Sequence, residues 1–432
     1  MVALLFLIAA GCATTKEKEE GGDRTPRRVK QLEQPNEYVV PGLSSAESSV
    51  RTVQLYKNPK ESNLPIIALG SSETLTLAFD LVGQDRRPLS VYFYHADRYW
   101  QRDLSPSQYL STFHRDDILD YSNSRATEVD YVHYRYSFPN SSIQFETSGN
   151  FIVRVTEQGD EDAVILERPF YVSEQATPVD LGLVSVVRSG GVLPAVQPIA
   201  LFTPPPAIRA NVFGFAVCFI QNGRSGAARC TDQASLSQQP ALEYYLQPRS
   251  AFDREASDYF LDLSRLDIGG MIESTNLTVS PYMVTLQPDF SQLGGGDLYP
   301  LLNGQAVVSG AVRDAGEPAT EAEYVEVLFT LVPPGERTVG GTVHVVGSFN
   351  NWQATASSAL EWVPDAGRYE GSVLIKQGQY EYRYLAVQGR DIRSLNDGMP
   401  RQDYQYTTFV YYDDALLQTD RLIAVAAAQT VN

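Results

Sequence analysis

Histidine and cysteine, the side chains that most often hold metals or do nucleophilic and acid–base work, are scarce here. There are four histidines and three cysteines in 432 residues. The histidines (His95, His114, His133 and His344) are scattered, and no Cys/His spacing suits a zinc site. His95 and His133 sit among aromatics inside strand-like runs, where a packed, hydrogen-bonded histidine is the commoner outcome. No G-x-S-x-G elbow, P-loop, H-E-x-x-H or G-x-G-x-x-G pattern occurs. Carboxylates cluster only as chain neighbours: Asp116-Asp117, Asp160-Glu161-Asp162 and Asp413-Asp414. Neighbours on a strand point to opposite faces, so such pairs do not converge as an acid and a base must. Cations are also short, 34 Lys and Arg against 52 Asp and Glu, a net charge of −18. That balance excludes a phosphate-binding surface for nucleic acid and electrostatic docking on anionic lipid. Helical heptads and long amphipathic stripes are missing as well. The sequence therefore predicts no enzyme, no metal and no cofactor.

What is present is β structure. Aromatics make up 11% of the chain and 25 of them are tyrosine, a ring that packs well on a pleated surface. "ETLTLAFDLV" (73–82), "LSVYFYHA" (89–96), "VDYVHYRYSF" (129–138), "NFIVRVTE" (150–157) and "ERPFYVSE" (167–174) alternate apolar and polar residues, with turn signals between them. Segment 104–124 breaks the pattern and reads as an irregular excursion with one helical turn. Prolines at 178, 194, 198 and 204–206 open a second strand-rich region, and "GGGDLYPLLNGQ" (294–305) marks a further boundary. The expected fold class is all-β, with serial immunoglobulin-like sandwiches over 46–176, 177–300 and 301–432. Cys218 and Cys230 flank a Gly-containing hairpin loop. A disulfide there would close a short loop worth about 2–3 kcal/mol; two free thiols are the alternative.

The first residues, "MVALLFLIAAGCATTKEKEE", are too short an apolar run to span a bilayer but suit a signal-peptide core. Ala9-Ala10-Gly11-Cys12 resembles a bacterial lipobox, which implies lipid attachment at Cys12 after removal of 1–11. Residues 12–45 are charged, Pro/Gly-punctuated and poor in apolar side chains, as a flexible tether would be.

Over about 125 residues the chain resembles the N-terminal domain of the plug protein of the type IX secretion system of Bacteroidota. The resemblance is carried by "LPIIALGSSETLTLAFDLV" (64–82), by His95-x-Asp97-x-x-Trp100, by "YVHYRYSFPN" (131–140) with His133, Tyr134 and Asn140, and by "SGNFIVRV" (148–155) with Gly149 and Asn150. It implies a non-enzymatic lipoprotein on the periplasmic face of the outer membrane. Its implied partner is the large β-barrel translocon, whose pore it closes when idle. A scaffold lipoprotein of the same machine that closes no pore would carry the same motifs.

"GSFNNWQ" (347–353) resembles the turn of early-set, glycogen-binding modules, whose tryptophan stacks on a glucan. Trp352 is thus the candidate sugar platform, and a glycan-binding envelope lipoprotein is the competing reading. The second aromatic of those modules is replaced by Arg390 and Asp391 after Val387-Gln388-Gly389, so the platform is incomplete and the fold is expected without the sugar.

Overall fold

The computed structural model describes residues 40, 43–44, 46–187, 195–253, 258–291, 299–310, 317–396 and 404–430. The signal segment 1–11, the lipid-attachment candidate Cys12 and nearly all of the tether lie outside the described residues.

The first sandwich is built from nine strands: β1 Val50–Lys57, β2 Ile66–Ala68, β3 Leu75–Val82, β4 Leu89–Ala96, β5 Arg115–Asp117, β6 Asp120–Asn123, β7 Tyr131–Phe138, β8 Gly149–Glu157 and β9 Val164–Ser173. One sheet runs β1-β3-β7-β6 and the other β2-β9-β8-β4-β5. The inward residues interlock as a Phe-rich core in which Phe93, Phe138, Phe145, Phe151 and Phe170 meet edge-on at centroid distances of 4.8–6.4 Å, the offset geometry aromatic quadrupoles favour. The excursion after β4 holds one helical turn, Pro106–Tyr109, begun by Ser105 and a proline at its first position. Tyr109 anchors it by donating its hydroxyl to the Phe93 carbonyl at 2.6 Å.

The second and third sandwiches are not divided at residue 300. One sheet of the second pairs Val179–Val186, Ala195–Phe202, Leu242–Tyr245 and Ala234–Ser235. Its facing sheet joins Arg229–Thr231 and Phe215–Gln221 to Gln405–Asp414 and Thr419–Gln429. The chain leaves this sandwich after Phe252–Asp253, builds the third from Tyr259–Asp262 through Asp391–Ser394, and then returns. The third sandwich is an insertion in the second, so the boundary expected from the "GGGDLYPLLNGQ" punctuation separates strands of one sheet system. Tyr282–Leu286, from the expected middle region, pairs in parallel with Tyr324–Val332 of the expected last one. Periodicity marks strands but carries no information about partners this far apart. Cys218 and Cys230 face each other across the ladder and are joined by a disulfide.

Within the third sandwich the buried Asp289 carboxylate accepts from the hydroxyls of Tyr382 (2.8 Å) and Tyr384 (2.6 Å). Burial pushes its pKa up to about 6, against the opposing pull of the two hydroxyls. A raised folded-state value means a stability contribution that is complete below the ordinary 3.8 and lost as pH rises through about 6. Asp289→Asn keeps an acceptor without a charge. It is expected to raise stability at neutral pH by about 3 kcal/mol at most and to flatten its pH dependence, read from denaturation midpoints across that window.

Candidate functional site

Six of the eight motif residues converge on the places where the first sandwich meets the other two. His95, on β4, is fully buried, with Nδ1 2.7 Å from Asp103 and Nε2 3.1 Å from the Ser148 carbonyl. The next residue, Gly149, has φ +151, and a Cβ there would stand 2.3 Å from His95 Nε2. Ring and glycine therefore require one another. Two residues beyond His95, Asp97 folds the chain back: its Oδ1 accepts the amides of Tyr99 and Gln101, both at 2.9 Å. This turn holds Trp100 at φ +65 and drives its indole against Tyr171, 5.4 Å away edge-on.

Asn150 completes the joint. Its Nδ2 donates to the Asp97 carbonyl at 3.1 Å, and its Oδ1 accepts the hydroxyl of Tyr411 at 2.7 Å, on the second sandwich. Around it Trp100, Ile152 and Tyr171 pack with Ile220, Phe409, Tyr411 and Leu422 in one apolar cluster. Two polar ties flank the cluster: Arg98 to Asp420 at 2.5 Å, and the Thr419 hydroxyl to Asp103 at 2.5 Å. Burial opposes charge on Asp103, but the His95 ring hydrogen-bonded to it holds its carboxyl below the usual range.

A second joint faces the third sandwich. His133 Nδ1 lies 2.7 Å from Asp80 Oδ1, while Asp80 Oδ2 accepts from Lys376 Nζ and from the Tyr324 hydroxyl, each at 2.7 Å. Asp80 and Lys376 are both about 1% exposed in their side chains. Lys376 also lies 4.1 Å from the centre of the Tyr131 ring and donates to the Ala319 carbonyl at 2.7 Å. Gln54, donating to the Ala306 carbonyl at 2.9 Å, extends the seam. The remaining motif positions stay inside the first sandwich. Tyr134 stacks on Phe79 and exchanges hydrogen bonds with the Arg87 backbone. Asn140 caps its turn by accepting the amides of Ser142 and Ile143 at 2.8 and 2.9 Å.

Comparison with known proteins places this joint-bearing sandwich. The family model described as "Type 9 secretion system plug protein 1st domain" matches residues 50–174. The first sandwich is similar to the first domain of the type 9 secretion system plug protein. The match ends where β9 hands over to the second sandwich, so the plug domain and the structural unit coincide. Among solved structures, a hypothetical protein from Parabacteroides merdae ATCC 43184 superposes with a TM-score of 0.79 at 24% identity, over 90% of this chain and 98% of that one. It shares the fold across all three sandwiches. The activated alpha-2-macroglobulin of Escherichia coli (TM-score 0.20, 9% identity, 91% of this chain and 29% of that one) has no comparable superposition. No curated protein matches the chain.

Outside the plug domain, the sugar-platform candidate is closed. The asparagines of "GSFNNWQ" build the turn, Asn350 accepting the Gly347 amide at 2.9 Å and donating to the Val345 carbonyl at 3.2 Å. Asn351 and Trp352 follow with φ of +54 and +61. Trp352 is only 7% exposed, its indole N–H donates to the Gly304 carbonyl at 3.0 Å, and the Arg224 guanidinium lies 4.7 Å from its ring centre. A sugar would have to displace Arg224 to stack there. Among the described residues no group of three or more His, Cys, Asp and Glu is placed to hold a metal, and no helix is long and apolar enough to cross a membrane.

Sequence reasoning reached His95 and His133 but not their partners Asp103, Asp80 and Lys376. A signal was available: Asp80 is a lone charge within "LTLAFDLV" and Lys376 closes "SVLIK". A single charge in an apolar strand is seldom buried without a partner.

Proposed function

We propose that this chain is the plug or gating subunit of the type 9 secretion machine, a non-enzymatic lipoprotein anchored through Cys12. In this reading it rests on the periplasmic side of the outer-membrane barrel translocon and closes the pore when no substrate occupies it. The observation that carries the reading is the plug-domain match over residues 50–174. The joints support it mechanically. A lid over a wide barrel has to resist being levered apart, and here buried ion pairs and an aromatic cluster fix the plug domain to both neighbours. The third sandwich, read as an early-set module, then serves as structure, in keeping with the covered ring of Trp352.

A lid must also release, which favours a polar interface of moderate size with a few apolar anchors. Phe113 and Leu119, 70% and 82% exposed on the excursion between β4 and β6, are the anchors assigned here. Affinity purification of the tagged chain from solubilised envelopes, with partners identified by mass spectrometry, is expected to recover a very large outer-membrane β-barrel. Phe113→Asp with Leu119→Asp is expected to cut that recovery at least tenfold without lowering the melting temperature. Absence of any barrel among the partners would remove the plug reading.

A further inference from the structure

One sheet of the second sandwich ends in β10 (Val179–Val186), which among the described strands pairs only with β11 (Ala195–Phe202). The register runs unbroken from Val179 opposite Phe202 to Val186 opposite Ala195. The strand carries one charge, Asp180, and no proline, lysine or arginine. Its side chains alternate. Val179, Leu181 and Leu183 lean on the core of the second sandwich but stay half-buried at the sheet margin. Asp180, Gly182 and Val184 face out. Val184 is 44% exposed, and Val187, just past the strand, 81%.

A free edge is a row of unpaired N–H and C=O groups, which proteins blunt by shortness, bulges, charge or cover. The other described edges are blunted. β1 is bulged between Arg51 and Gln54 and covered by the third sandwich, Thr52 bonding Tyr324 and Gln54 the Ala306 carbonyl. Thr419–Gln429 is bulged, and its Leu422 and Ile423 carbonyls accept the amides of Glu174 and Ala176. The remaining described edge strands run only two to five residues. β10, at eight residues, is left long, unbulged and nearly uncharged.

What completes such an edge is another extended backbone, and the side chains of β10 fit their own copy. Antiparallel pairing about a two-fold axis at Gly182 sets Leu181 opposite Leu183 of a second copy, and Asp180 opposite its Val184. The leucines lie on the core face, so each open core margin closes on the other, and no like charges meet. With one such edge per chain, the pairing closes as a dimer and does not propagate. We propose that β10 is a dimerisation edge, pairing antiparallel with β10 of a second copy about Gly182 and joining two second sandwiches through one continuous sheet. The dimer does not depend on the pore-closing reading and survives its failure.

The test is the molar mass of the full chain, by light scattering and sedimentation over a wide concentration range, with substitutions of opposite sign at the exposed Val184. The wild type is expected to dimerise. Val184→Asp sets an aspartate opposite Asp180 of the other copy, twice by symmetry, and is expected to raise the dissociation constant roughly tenfold. Val184→Lys sets a lysine there instead and is expected to keep or tighten the dimer. Gly182→Cys, where an added Cβ meets nothing nearer than 3.9 Å, is expected to cross-link to its own copy on mild oxidation. Val184→Cys is expected not to, since Asp180 stands opposite it. A wild type that stays monomeric overturns the proposal and leaves the edge to a strand of another protein. A dimer equally insensitive to both charges at 184, or the absence of a cross-link at 182, overturns it as well. The contrast of charges at 184 decides the matter even if Gly182→Cys does not fold.

Discussion

Asp80→Ala is expected to destabilise the protein by about 3–5 kcal/mol, the range for stranding one member of a buried ion pair. The carboxylate accepts from Lys376, Tyr324 and His133 at once, and Lys376 is as deeply buried as Asp80. Removing the acceptor leaves an ammonium inside the protein that keeps the Ala319 carbonyl and the Tyr131 and Tyr324 rings but loses its bonded carboxylate. Because the pair ties the first sandwich to the third, the loss should appear in calorimetry as a separate, earlier transition of the first sandwich. Asp80→Ala with Lys376→Met, which removes both charges, is expected to recover most of the difference; no recovery would show that the pair is not what the single substitution breaks. The pH dependence follows the same logic. Burial works against the Asp80 charge, but Lys376 and His133 hold its carboxyl below its ordinary 3.8. A lowered value contributes stability present above 3.8 and lost as pH falls through the folded value, so acid should release this joint.

Gly149→Val should prevent accumulation of folded protein. Two costs coincide at this position. A φ of +151 is accessible to glycine and strained for any side chain, at about 1–3 kcal/mol. The added Cβ, 2.3 Å from His95 Nε2, would also push out a fully buried ring and break its contact with Asp103. Together they exceed about 4–5 kcal/mol, a size that single substitutions reach only through such named clashes. The milder Gly149→Ala, measured with and without His95→Ala in a double-mutant cycle, separates the two. Removing the ring should return the steric part and leave the backbone part. Additive losses would mean that ring and glycine do not depend on each other.

The sequence was most informative where physics is local. Alternation in "LTLAFDLV" and "YVHYRYSF" gave β3 and β7 directly, and the broken pattern after β4 gave the helical turn at Pro106–Tyr109. Motif residues such as His95, Asp97, Trp100 and Gly149 could be singled out, but their meaning could not. Asp97 looks like any turn aspartate until Tyr411, more than 300 residues later, is seen to reach the asparagine that grips its carbonyl. The misplaced boundary has the same origin. Phe215–Gln221 and Gln405–Asp414 are each readable as strands, but nothing in either names the other. The covered face of Trp352 depends on Arg224, likewise remote in the chain.

The return of the chain through Gln405–Asp414 and Thr419–Gln429 orders the folding of the three sandwiches. A polypeptide that emerges from its N-terminus delivers the first sandwich and the inserted third sandwich first. The second sandwich then waits, with one sheet lacking its two longest strands, until residues 404–430 arrive. Phe409, Tyr411 and Leu422, which close the pocket around Trp100, arrive with that stretch. The stretch 404–430 thus acts as a keystone: the first sandwich can fold before it is clamped, and a chain cut before residue 404 would carry a complete first sandwich on a body that cannot hold it.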